Sequence, residues 1–100
     1  MNEPPGGPPE DPVEVPIGDV LDLHSFLPAE IPDLVRHYLD EAWARGLRRL
    51  RIIHGRGTGT QRQTVRTILE RDPRVSGFGD APAEAGGWGA TWVELKEQLE

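Results

Sequence analysis

Three short segments of this 100-residue chain carry side chains suited to acid–base work, anion binding and stacking. The first is Leu21-Asp22-Leu23-His24, with a carboxylate and an imidazole two residues apart. On an extended strand that spacing puts both on one face. Such a pair can share a metal ion or divide general acid and base roles. An edge strand with a polar solvent face fits the same four residues. The second segment is His54-Gly55-Arg56-Gly57-Thr58-Gly59. Alternate glycines let a backbone approach a ligand closely, and a helix starting just after them offers unbonded N–H groups to an anion. Arg56 adds a full charge. The loop matches neither the P-loop, which needs Gly-x4-Gly-Lys-Ser/Thr, nor the dinucleotide fingerprint. A phosphate cradle and a tight turn with a solvated arginine both fit it. The third is Gly86-Gly87-Trp88-Gly89, whose ring either stacks on an unpaired base or folds back over its own loop.

The surrounding pattern predicts where these segments meet. Val20–His24 alternates as a strand does, with Leu21 and Leu23 on one face. Ile31, Leu34, Val35, Tyr38, Leu39, Ala42 and Trp43 recur at helical spacing, and Gly46 stands where a C-terminal cap belongs. The start of that helix is open between Pro28 and Pro32. Leu50–His54 reads as a second strand, Gln61–Arg71 as a second helix, Val75–Phe78 and Ala90–Leu95 as two more strands. The order is β-α-β-α-β-β. A strand-helix-strand unit is joined by a right-handed crossover in about 98% of cases, so its strands are parallel. Their carboxyl ends share an edge, where open α/β sheets place ligands. That edge receives His24, His54 and the loop before an antiparallel last strand.

Composition narrows the class. There is no cysteine, so disulfides and thiol chemistry are excluded. No apolar run approaches the roughly 20 residues that span a bilayer. The first residues lack the basic and apolar regions of a secretory signal, which predicts a cytoplasmic protein without membrane contact. The net charge of −6 is unevenly spread. Residues 1–44 carry ten acids against Arg36, whereas residues 45–74 carry nine arginines against Glu70 and Asp72. Ten arginines to one lysine suits bidentate phosphate contacts, and suits a base-composition bias in the gene as well. Residues 1–16 hold six prolines and little that could pack, so they are expected to form a disordered, acidic tail. That tail is also the segment that would recruit a protein partner. His37 reads as a surface residue, Trp43 as core and Trp92 as packing on one sheet face.

Taken in order, the three segments resemble the small MutS-related, or Smr, domain, whose pattern is L-D-L-H-G, then H-G-K-G-T-G, then G-G-x-G-A-T. Here they stand as Leu21-Asp22-Leu23-His24-Ser25, His54-Gly55-Arg56-Gly57-Thr58-Gly59 and Gly86-Gly87-Trp88-Gly89-Ala90-Thr91. Ser25 replaces a glycine, Arg56 a lysine, and Gln61 stands where an apolar residue is usual. The resemblance implies a two-layer α/β sandwich, with a mixed four-stranded sheet and two helices on one face, over residues 17–100. It implies nucleic-acid binding and metal-assisted endonuclease activity on DNA or RNA. It looks like the standalone kind, a domain preceded only by a tail. The expected roles follow. Asp22 binds Mg²⁺ or Mn²⁺ or orients the attacking group, and His24 and His54 share proton transfer. Gly55, Arg56, Gly57, Thr58, Gly59 and Arg62 hold phosphate. Gly86, Gly87, Trp88 and Gly89 contact the nucleic acid. The expected function is an endonuclease that nicks or cleaves structured or single-stranded nucleic acid by metal-assisted phosphodiester hydrolysis. The alternative is a nucleic-acid-binding module without chemistry, in DNA repair or recombination or in ribosome-associated RNA processing.

Overall fold

The structure, a computed structural model, describes residues 19–98. The expected tail, residues 1–16, lies outside them. Four strands form one mixed sheet: β1 (Val20–Asp22), β2 (Arg49–Ile53), β3 (Val75–Asp80) and β4 (Ala90–Leu95). The sheet order is β1-β2-β4-β3. β1 and β2 are parallel, and β4 runs antiparallel to both β2 and β3. Helices α1 (Ile31–Ala44) and α2 (Thr60–Arg71) supply the crossovers. The expected β-α-β-α-β-β order and the two-layer architecture are therefore observed.

The helical stripe of α1 buries Ile31, Val35, Tyr38, Leu39 and Ala42, and α2 adds Val65, Ile68 and Leu69. These meet Leu23, Leu50, Ile52, Val93 and Leu95 from the sheet in a single core. Alternation along β2 and β4 explains the choice, since side chains point to opposite faces at each step. Pro28 opens a short 3-10 turn and Pro32 falls in the first turn of α1, where a missing N–H costs nothing. Both candidate starts are thus used. At the other end Gly46 takes a φ of 75° and closes the helix with its N–H on the Trp43 carbonyl.

The sheet face away from the helices is organised by Trp92, whose ring lies across β3. Of the two glycines beneath it, Gly79 is required by the close approach of the ring and Gly77 is not. A Cβ at Gly79 would sit 2.9 Å from the indole Nε1, whereas one at Gly77 would meet the ring at 3.5 Å. Gly79→Ala should therefore cost about 1–3 kcal/mol through overpacking. Gly77→Ala should be neutral, or stabilising by up to about 1 kcal/mol through reduced chain entropy in the unfolded state. Urea unfolding of the two variants checks this, and equal losses would contradict the packing described.

Candidate functional site

β1 is shorter than the sequence pattern suggests. It stops at Asp22 because that carboxylate takes the His24 N–H at 3.0 Å and turns the chain. Leu23 still bonds the Ile53 carbonyl and stays buried, but His24 leaves the strand. The turn brings the pair closer than strand alternation would. His24 Nδ1 lies 2.7 Å from Asp22 Oδ1. The His24 amide and ring together hold the Asp22 carboxyl below the usual carboxylate range. An ionised carboxylate only accepts, so Nδ1 carries a proton, and in the neutral ring Nε2 keeps its lone pair. Ser25, standing where the Smr pattern has glycine, places its hydroxyl 3.3 Å from that Nε2. Both partners are open to solvent, His24 at 75% and Asp22 at 45% side-chain exposure.

The glycine loop is held from beneath by His54. Strand alternation carries Leu50, Ile52 and then His54 to the helix side of β2, while Asp22 pairs in register with Ile53 on the other. His54 is consequently buried, at 6% exposure. Its Nδ1 donates to the Gly55 carbonyl at 2.9 Å, and its Nε2 meets the Thr91 hydroxyl at 2.8 Å. Burial, with the nearby charges of Arg66 and Arg62, pushes its pKa down. The neutral ring then accepts from Thr91 at Nε2. Both nitrogens are hydrogen-bonded, and in that arrangement His54, expected to share proton transfer, holds the loop in position. Its backbone does the same: the N–H groups of His54 and Gly55 both donate to the Gly89 carbonyl, at 3.0 and 2.8 Å. The second and third segments are one structure.

Above this frame the loop encloses a concavity of about 330 Å³ lined by Pro28 and residues 54–61. Gly59, at a φ of 87°, is the N-cap of α2, and no side chain caps the helix. The first amides of α2 are left for a ligand. Arg56 is exposed and makes no hydrogen bond or ion pair among the described residues; its stem lies against Gly89. Arg62, expected on phosphate, is already engaged. It donates to Asp80 at 2.8 Å and covers the Trp88 ring at 4.8 Å from the centroid. Arg66 bonds the same carboxylate, and Arg74 bonds Asp40 and Asp72. Arg62, Arg66 and Arg74 are thus engaged by carboxylates within the fold, whereas Arg49, Arg56 and Arg71 make no hydrogen bond or ion pair among the described residues. A larger groove of about 650 Å³ runs between α1 and α2, past Arg36, Asp40 and Arg71, but holds none of the expected site residues.

The Smr domain profile matches residues 21–96. The chain belongs to the Smr domain family. It superposes on the crystal structure of the Smr domain of Thermus thermophilus MutS2 with a TM-score of 0.74, at 46% identity, covering 78% of this chain and 98% of that one. It also matches YdaL, a stand-alone small MutS-related protein from Escherichia coli, with a TM-score of 0.68, at 30% identity, covering 78% and 64%. In sequence it is 47% identical over 76 residues to endonuclease MutS2 of Thermus thermophilus. The chain spans about a tenth of the length of that relative.

Within this Smr domain the expected Mg²⁺ or Mn²⁺ ion finds no protein-built cage. No cluster of three or more His, Cys, Asp or Glu side chains fit to hold a metal is found among the described residues. Asp22 offers Oδ2 alone, its Oδ1 being committed to His24. Asp80, Arg66 and Thr91 are the residues that sequence reasoning missed. They form a polar chain behind His54, assembled over 14 to 37 residues of separation, with no local signal beyond the threonine of the third motif. No helix among the described residues is long and apolar enough to cross a membrane.

A pH dependence follows from His54. In the unfolded chain it takes a proton near its ordinary value of 6.5, whereas in the fold it does so only at lower pH. Below pH 6.5 the unfolded state therefore binds more protons, and stability falls by up to about 1.4 kcal/mol per pH unit. The lowered carboxyls of Asp22, Asp72 and Asp80 add their loss only below the ordinary value of 3.8. Urea midpoints between pH 7 and 5 should decline in the wild type and decline less in His54→Gln. Parallel pH profiles would contradict the buried neutral ring.

Proposed function

We propose that this Smr domain is an endonuclease that nicks or cleaves DNA or RNA by phosphodiester hydrolysis. The observation that carries the reading is the 2.7 Å contact between His24 Nδ1 and the ionised Asp22, which leaves Nε2 as a base at the carboxyl edge of the sheet. The Asp22 carboxylate fixes the ring and stabilises the imidazolium as it forms, the role that a buried aspartate plays in hydrolytic triads. A water molecule gives its proton to Nε2 while its oxygen forms the new bond to phosphorus; the ester P–O bond breaks, the leaving alkoxide takes a proton from solvent, and the His24 imidazolium returns its own to solvent. Arg56 and the first amides of α2 hold the phosphate and offset its developing charge. His54 keeps that cradle in place. A Mg²⁺ or Mn²⁺ ion at Asp22 would be held chiefly by substrate phosphate and water. The similarity to proteins named endonuclease MutS2 supports the assignment.

A binding module without chemistry would use the same cradle. It is favoured by the openness of His24, which sits at the surface rather than in a cleft that excludes water. Incubation with labelled duplex, branched and single-stranded DNA and RNA, with and without Mg²⁺ or Mn²⁺, separates the two. Asp22→Asn and His24→Ala should each lower the cleavage rate by about 10²–10⁴-fold. Substrate affinity should shift by less than about tenfold, or 1.4 kcal/mol. Circular dichroism accompanies each variant. Full activity in both would place the chemistry elsewhere, and retention of substrate without cleavage by the wild type would establish the binding module.

A further inference from the structure

We infer that Trp88 is a braced stacking platform that makes the cradle select unpaired nucleotides over duplex. The inference rests on the nucleic-acid reading above and specifies its substrate class. Four large apolar side chains are exposed among the described residues, and three of them, Phe26, Leu27 and Trp88, lie on loops at the carboxyl edge of the sheet. Trp88 keeps 40% exposure although packing partners surround it. The Arg62 guanidinium covers one face of its ring at 4.8 Å from the centroid, and Asp80 fixes that guanidinium at 2.8 Å. The rim of the indole rests on Gly59, where a Cβ would come within 3.3 Å of it. The ring is therefore braced on one face and along one edge, beside the loop that carries Arg56. Arg56 runs under the same segment, with Nη2 3.3 Å from where a Gly87 Cβ would lie.

A preordered aromatic face gains contact area at little entropic cost. Every base has a π-face, so the platform takes an unpaired nucleotide of any sequence. In a duplex the bases are stacked on one another and present only phosphates and groove edges, which leaves the ring without a partner. The phosphate next to the stacked base would fall to Arg56 and the first amides of α2. Both folded-back packing and stacking are thus properties of one ring, the first on its inner face and the second on its outer.

The test is fluorescence anisotropy with a labelled single-stranded oligonucleotide and the blunt duplex of the same length, at one salt concentration. Stacking on an aromatic is worth about 1–3 kcal/mol per base, or roughly 5–150-fold. Trp88→Ala should reduce the single-strand-to-duplex affinity ratio by about that factor, while Trp88→Phe should keep the ratio within about threefold of the wild type. An unchanged ratio in Trp88→Ala, with circular dichroism matching the wild type, would overturn the inference. So would a loss in Trp88→Phe as large as in Trp88→Ala, which would mark the indole as a packing element. Failure of the wild type to bind either form would instead overturn the nucleic-acid reading itself.

Discussion

The carbonyl of Gly89 accepts two N–H groups, those of His54 and Gly55, and the site depends on that junction. It ties the end of β2 to the start of β4, two points 35 residues apart in the chain. Without it the glycine loop and the Trp88 loop would be separate surface turns. The His54 side chain seals the junction from below, donating to the Gly55 carbonyl and accepting from Thr91. A buried polar group left without a partner costs about 1–3 kcal/mol, so a half-made network here would work against the fold. The completed one gives a loop rich in glycine a single shape.

The rest of the edge is arranged around this fixed point. Parallel pairing of β1 with β2 brings Asp22 level with Ile53, one residue before the junction. The core of α1 and α2 against β2 and β4 sets the height of the α2 N-terminus over the loop. Electrostatics then sorts the arginines by role. Arg62, Arg66 and Arg74 are consumed by Asp80, Asp40 and Asp72, and they brace the structure. Arg56 makes no hydrogen bond or ion pair among the described residues, so the guanidinium free for a ligand in the glycine loop is its own, beside the helix amides. Arg62 and Arg66 share the one Asp80 carboxylate, so their pair still carries positive charge.

Much of this was legible in the sequence. The order of elements, the antiparallel last strand and the convergence of three loops at one edge follow from periodicity and crossover handedness, and the structure has them. The extent of β4, Ala90–Leu95, matches its pattern residue for residue. Three features were not legible, for physical reasons. The turn at Asp22 depends on a side chain capturing a backbone N–H, a choice that alternation of apolar residues does not encode. The burial of His54 depended on whether alternation continued one residue past β2, which places its ring beneath the loop. The pairing of the arginines was hidden too, since Arg74 and Asp40 are 34 residues apart.

The central claim is that Arg56 at this edge contacts phosphate, and the salt dependence of nucleic-acid binding tests it most directly. Each phosphate neutralised on duplex DNA contributes about −0.9 to the slope of log K against log salt concentration. The wild type should show a clear negative slope despite its net charge of −6. In Arg56→Ala the slope should be shallower by about one unit. A slope that is the same in both proteins, or flat in the wild type, would contradict the cradle.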